Sequence, residues 1–80
     1  MPTLDQLKGI KIDCYYGDHP PPHIHAIYAE FEVLIEIENL SVYEGYLPNK
    51  QQRIALNYVE ENQKRLLTIF NKMNPPKYRK

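Results

Sequence analysis

The chain has 80 residues, with ten Lys plus Arg, ten Asp plus Glu, three His and one Cys, and a formal net charge of zero. That length allows one domain with a small core, which buries about 60–65% of the unfolded surface and leaves a homodimer or a partner protein as ways to cover more. It excludes a transmembrane helix, since no run approaches ~18 consecutive apolar residues, and an internal disulfide, since Cys14 stands alone.

The first residues, Met1-Pro2-Thr3-Leu4-Asp5, show no basic region followed by an apolar run. No signal peptide is therefore expected, and with the single cysteine this points to the reducing cytoplasm. Charge is unevenly spread. Residues 1–46 carry eight acids and two bases, a net of −6; residues 47–80 carry eight bases and two acids, a net of +6. Attraction between the halves in the fold is the ordinary reading, and contact of the basic half with an acidic partner or nucleic acid is the sharper one.

Residues 10–16 alternate, with Ile10, Ile12, Cys14 and Tyr16 on one face and Lys11, Asp13 and Tyr15 on the other. This predicts a half-buried strand. Gly17-Asp18 ends it, and Pro20-Pro21-Pro22 cannot join a central ladder. A second strand is expected from His23 to about Tyr28 and a third from Phe31 to about Glu38. If Ala29-Glu30 is a two-residue turn, paired residue numbers sum to 59. Tyr28 then faces Phe31, Ala26 faces Val33 and Ile24 faces Ile35, all apolar and on one face. The other face pairs Ile27 with Glu32, His25 with Leu34 and His23 with Glu36. A slip of one residue would destroy this match. The turn itself has none of the residues that favour positive φ.

A fourth strand is expected from Ser41 to about Leu47. Asn49 followed by Gln52 resembles a capping box. From Lys50 to about Asn71 the apolar residues recur mostly every three or four positions (Ile54, Ala55, Tyr58, Val59, Leu66, Leu67, Ile69, Phe70, Met73), predicting one long helix that Pro75-Pro76 stops. The expected architecture is α+β, an antiparallel sheet of about four strands followed by one long C-terminal helix packed on one face. Residues 1–74 would form the single domain and 75–80 a basic, disordered tail.

All three histidines lie in the octapeptide Asp18-His19-Pro20-Pro21-Pro22-His23-Ile24-His25. His23 and His25 are two apart on a strand and so share a face, opposite the apolar one. Asp18 could fix a histidine tautomer, and Asp13 and Tyr15 would share the outer face if the first two strands are neighbours. Three readings stay open. The histidines could order the proline turn through hydrogen bonds to backbone. His19, His23 and His25 could bind Zn²⁺, Ni²⁺ or Fe²⁺. Or the imidazoles could act as acid and base without metal, on RNA for example, with Glu36 favouring charged His23 as the acid and His25 or His19 as the base. Glu32, Glu36 and Glu38 on the outer face would repel phosphate unless Lys8, Lys11 or the basic tail close over it.

Tyr16, Tyr28 and Tyr58 read as core. Tyr15, Tyr43 and Tyr46 are candidates for stacking on bases or a partner, with core or interface the commoner role. Tyr43 lies outside the loop and is expected not to matter to chemistry there. Cys14 reads as a buried, inert thiol. The three glycines are scattered, so no phosphate-binding loop is present.

Several segments resemble one family of small bacterial proteins, domain of unknown function 4160. They are Met1-Pro2-Thr3, Gly9-Ile10 with Ile12, Tyr15-Tyr16, the Asp18–His25 run, Glu44-Gly45 with Leu47-Pro48, and the helix through Glu61, Leu66 and Leu67. Pro20 after the first histidine and Ala29-Glu30 at the turn depart from its usual pattern. The resemblance implies a member of a two-gene module of the toxin–antitoxin type. This chain would be the toxin-like component, neutralised by a small partner protein. Asp18, His19, His23 and His25 are its motif positions. A non-catalytic metal-binding or protein-interaction module is the alternative.

Overall fold

A computed structural model describes residues 3–14 and 21–74. Five strands come first: β1 (Thr3–Leu7), β2 (Ile10–Asp13), β3 (His23–Tyr28), β4 (Phe31–Glu36) and β5 (Ser41–Tyr46). Two helices follow, α1 (Asn49–Glu61) and α2 (Gln63–Met73). The strands form one antiparallel sheet in the order β1-β2-β3-β4-β5. Each strand thus pairs with its neighbour in sequence. No described helix is long and apolar enough to cross a membrane. Tyr15 and Tyr16, the end of the expected first strand, lie outside the described residues, as does the tail 75–80.

The β3–β4 register is the one the apolar pattern demands. His23 faces Glu36, Ile24 Ile35, His25 Leu34, Ala26 Val33, Ile27 Glu32 and Tyr28 Phe31. The poor turn sequence does not shift it, because Ala29 accepts a left-handed φ of 53°. Burying four β-branched or small side chains outweighs the strain of order 1 kcal/mol at one alanine.

Two expectations need correcting. The sheet has a fifth strand, β1, and the long helix is two helices. β1 shows no alternation, but Lys8 and Gly9 both take positive φ, at 50° and 81°. That is the pattern of a type I′ hairpin turn, and it folds Thr3–Leu7 back on β2. The helix breaks at Asn62, whose φ of −119° is not helical. Its N–H is shared between the carbonyls of Tyr58 and Val59, its side-chain amide donates to Tyr58 O, and its own carbonyl receives the Leu66 N–H. One residue therefore ends α1 and starts α2. The break falls in the stretch 60–65, Glu-Glu-Asn-Gln-Lys-Arg, which has no apolar side chain to hold a straight helix on the sheet. The cap of α1 also differs from expectation. Pro48 occupies the cap position, and Gln52 reaches back to accept the Leu47 N–H at 3.0 Å.

The core lies between one sheet face and the helices. Ile10, Ile12, Cys14, Ile24, Ala26, Val33 and Ile35 are fully buried with Ala55, Val59, Leu66 and Phe70. Tyr58 joins them, and Tyr28 is half-buried. The Tyr58 hydroxyl accepts from Arg65 at 3.3 Å and also meets Asp5 of β1. Burial pushes this phenol above its usual pKa, partly offset by Arg65. The N-terminal strand is in this way tied to both helices.

α2 bends round the end of the sheet. The Gln63 side-chain amide donates to the carbonyls of Ile37 and Glu38, just past β4. The Phe70 ring reaches that of His23 at the start of β3, with centroids 5.9 Å apart.

β5 is irregular. Glu32 faces Tyr46, Val33 Gly45 and Leu34 Glu44, but then Ile35 faces Val42, so Tyr43 is an extra, bulged residue. Gly45 makes this path feasible. Its φ is 80°, and a Cβ there would stand 2.3 Å from the Glu32 carbonyl oxygen. Gly45→Ala should therefore cost about 2–4 kcal/mol through strain and overpacking together. Urea unfolding of the variant beside the native chain checks this, and a loss below about 0.5 kcal/mol would show that β5 can move away freely.

Candidate active site on the histidine face

Alternation along β2, β3 and β4 sends one set of side chains away from the helix-covered core. On that outer face Asp13 of β2 stands opposite His25 of β3, which stands opposite Leu34 of β4, with Glu44 of β5 beyond. The next row holds His23, Glu36 and Ser41. The two imidazoles share the face as expected, with ring centroids 5.3 Å apart.

Each ring is oriented through Nδ1. His23 Nδ1 lies 2.8 Å from the Pro21 carbonyl oxygen, which can only accept, so Nδ1 carries the proton. His23 is only 3% exposed, and its ring is flanked by those of His25, Tyr43 and Phe70. His25 Nδ1 lies 2.9 Å from Glu32 Oε2, and again donates. The pair is diagonal on the sheet, since His25 faces Leu34 and Glu32 is two residues back along β4. With both Nδ1 atoms engaged, proton transfer or metal ligation falls to the Nε2 atoms.

The expected partnership of Glu36 with His23 takes a different form. The two residues do stand opposite each other. The Glu36 carboxylate, however, accepts from Asn39 Nδ2 at 2.6 Å and from Ser41 Oγ at 3.3 Å, and so binds the β4–β5 turn. The carboxylate that meets a histidine Nδ1 is that of Glu32, on His25. The register predicted from the apolar pattern contains this diagonal, two residues along β4 from the partner directly opposite His25. Asp13 is 1% exposed, with Lys11 Nζ 3.6 Å from its Oδ2.

Tyr43 is a further neighbour of the histidines that the sequence reading did not bring to the site. It lies outside the octapeptide in sequence, and its ring lies 5.2 Å from that of His23. No sequence pattern marks the bulge that brings it there. Asp18, His19 and Tyr15 fall outside the described residues, so the three-histidine set is not complete here. Among the described residues, no three His, Cys, Asp or Glu side chains converge to hold a metal ion. The loop-ordering reading has a direct counterpart in the His23–Pro21 bond, beside which the Ile37 N–H ties Pro22 O to the end of β4 at 3.0 Å.

This geometry sits inside a stretch that matches a known family, described as Domain of unknown function (DUF4160), over residues 9–71. The chain belongs to that family. The matched stretch contains the octapeptide, β2 to β5, and both helices almost to the end of α2. No curated protein and no solved structure matches the chain.

Proposed function

We propose that this DUF4160 protein is the toxin-like component of a two-gene bacterial module, acting on RNA through its histidine face and neutralised by a small partner protein. One observation carries the chemistry. Two imidazoles lie side by side, each oriented through Nδ1 by a fixed acceptor, which sets the tautomer and assigns any proton transfer to Nε2. The Glu32 carboxylate holds His25 in one tautomer and orientation, as a carboxylate does in a catalytic triad.

In this reading His25 Nε2 removes the proton of a ribose 2′-hydroxyl. The freed oxygen attacks phosphorus, the bond from phosphorus to the 5′-oxygen breaks, and His23 supplies the proton to that leaving oxygen. The products are a 2′,3′-cyclic phosphate and a 5′-hydroxyl end. No oxidant or second substrate is required. Asp13, Glu32, Glu36 and Glu44 make the surroundings acidic, and Lys11 is the cation beside them.

The test is bacterial growth during induced expression of the native chain, beside the His19→Ala/His23→Ala/His25→Ala variant at matched soluble levels. Growth arrest by the native chain alone, with new RNA ends bearing cyclic phosphate, is the expected result. Absence of arrest by both chains, with RNA ends unchanged, would overturn the reading. Metal uptake by the pure protein in native mass spectrometry, with a rise in melting temperature, would favour the non-catalytic metal-binding module instead.

A further inference from the structure

The described sheet ends at β5, and that edge is unlike the other. At the β1 edge, Leu4 and Leu7 pack against the core and Asp5 meets Tyr58. In β5 every residue from Ser41 to Tyr46 is exposed, and Val42, Tyr43 and Tyr46 are the large exposed apolar side chains among the described residues. An edge strand presents a row of unpaired backbone N–H and C=O groups, which natural proteins commonly guard with Lys or Pro. Ser-Val-Tyr-Glu-Gly-Tyr has neither. Its guard is the bulge at Tyr43, which twists the edge and weakens pairing with a strand that offers backbone alone. A partner strand must therefore gain from side chains as well.

The side chains of β5 define the strand that fits. Val42 faces fully buried Ile35 across the pair, yet is 40% exposed, so the helices stop short of it. An apolar residue laid beside it would extend the core by one strand. On the outer face Glu44 stands opposite Leu34, with Glu32 and Glu36 two residues to either side along β4. Neither β4 nor β5 contains a Lys or Arg. Tyr43 offers an exposed ring next to Glu44, and a guanidinium can lie on such a ring while it pairs with a carboxylate. We infer that β5 is a docking edge for a β-strand of a partner protein, one that alternates Arg with apolar residues. A second copy of this chain fits worse. Two β5 strands paired antiparallel about a twofold axis would bring Glu44 beside its own counterpart, near the middle of a six-residue strand. The Tyr43 ring also lies 5.2 Å from that of His23, so a strand seated here stands at the rim of the histidine face. The neutralising partner of the reading above would act there, but the docking edge itself does not rest on that reading.

The test uses the full native chain and three fluorescein-labelled eight-residue peptides in fluorescence anisotropy. One alternates Arg with Val and one alternates Glu with Val. The third is the Arg peptide with its backbone nitrogens methylated, which keeps the side chains and removes the donors. The Arg peptide should bind, and the other two should bind at least about tenfold more weakly. Glu44→Lys in the protein, a change at an exposed position, should weaken the Arg peptide about tenfold. Backbone hydrogen exchange should slow in Ser41–Tyr46 and not in Thr3–Leu7 when that peptide binds. No binding of the Arg peptide, equal binding of either control, no effect of Glu44→Lys, or slowed exchange at β1 instead would each overturn the inference. So would a free chain that sediments as a dimer with β5 already protected, which would assign the edge to a second copy. Circular dichroism of the Glu44→Lys chain, matched to the native one, separates lost binding from lost fold. The toxin reading fails separately. A chain that arrests growth but ignores the Arg peptide loses the docking edge and keeps that reading. A chain that binds the peptide through β5 but leaves growth unchanged keeps the edge and loses it.

Discussion

His25→Ala should lower the rate of RNA cleavage about 10²–10⁴-fold, the contribution of one well-placed acid–base group. The effect belongs in kcat, because the imidazole exchanges its proton in the transition state and adds little to ground-state binding. Glu32→Gln should cost less, about tenfold. The Glu32 side chain is 48% exposed, so water screens its hold on His25 and can replace part of it. This ranking is informative. If Glu32→Gln matched His25→Ala, the carboxylate would be acting on substrate directly; if neither changed kcat, the acid–base assignment would be wrong. His25 is a better probe than His23, whose buried ring supports the fold at the start of β3. Single-turnover cleavage of a labelled RNA, with circular dichroism of each variant, is the measurement.

The second large effect is on stability. Phe70→Ala should cost about 3–5 kcal/mol, the usual range for truncating a buried phenylalanine. An 80-residue domain has roughly 4–12 kcal/mol in total, so this one change takes a large share and leaves a visible unfolded fraction. Phe70 is fully buried, packs with the sheet and Leu66, and touches the His23 ring. Its loss should therefore also release His23 from its place between Phe70 and Tyr43. Phe70→Leu keeps most of the volume and should cost less than about 1.5 kcal/mol. Urea unfolding gives the stability, and the His23 ring-proton shifts report the site. A cost under about 1 kcal/mol for Phe70→Ala would mean that α2 does not close the sheet end as described.

These two results test different layers of the molecule, and the layers differ in how far they could be read beforehand. The β3–β4 register was legible, because three apolar pairs line up on one face only when residue numbers sum to 59. From that register followed the shared face of His23 and His25. Even the Glu32–His25 diagonal was implicit in it. β1 was harder. Thr-Leu-Asp-Gln-Leu carries no alternation, and it becomes a strand because the Lys8-Gly9 turn presents it to the open edge of β2. The break at Asn62 left a faint trace, a six-residue stretch without apolar side chains, which a purely periodic reading steps across.

The sequence by itself determined the α+β class, the central hairpin and its two faces, the buried state of Cys14 and the clustering of the histidines. Each of these follows from patterns with a period of two or from residues adjacent in the chain, where local stereochemistry leaves few alternatives. Only the tertiary structure decided that Glu32 rather than Glu36 holds a histidine, that Tyr43 joins the site, and that Phe70 of α2 backs His23. Each of these depends on contacts between elements distant in sequence. The β5 bulge sets the first aromatic neighbour of His23, and the bend at Asn62 sets the second. A side chain's partner across a sheet or round its end is chosen by packing and by competing hydrogen bonds, such as those of Asn39 and Ser41 for Glu36, and no local pattern in the chain encodes that competition.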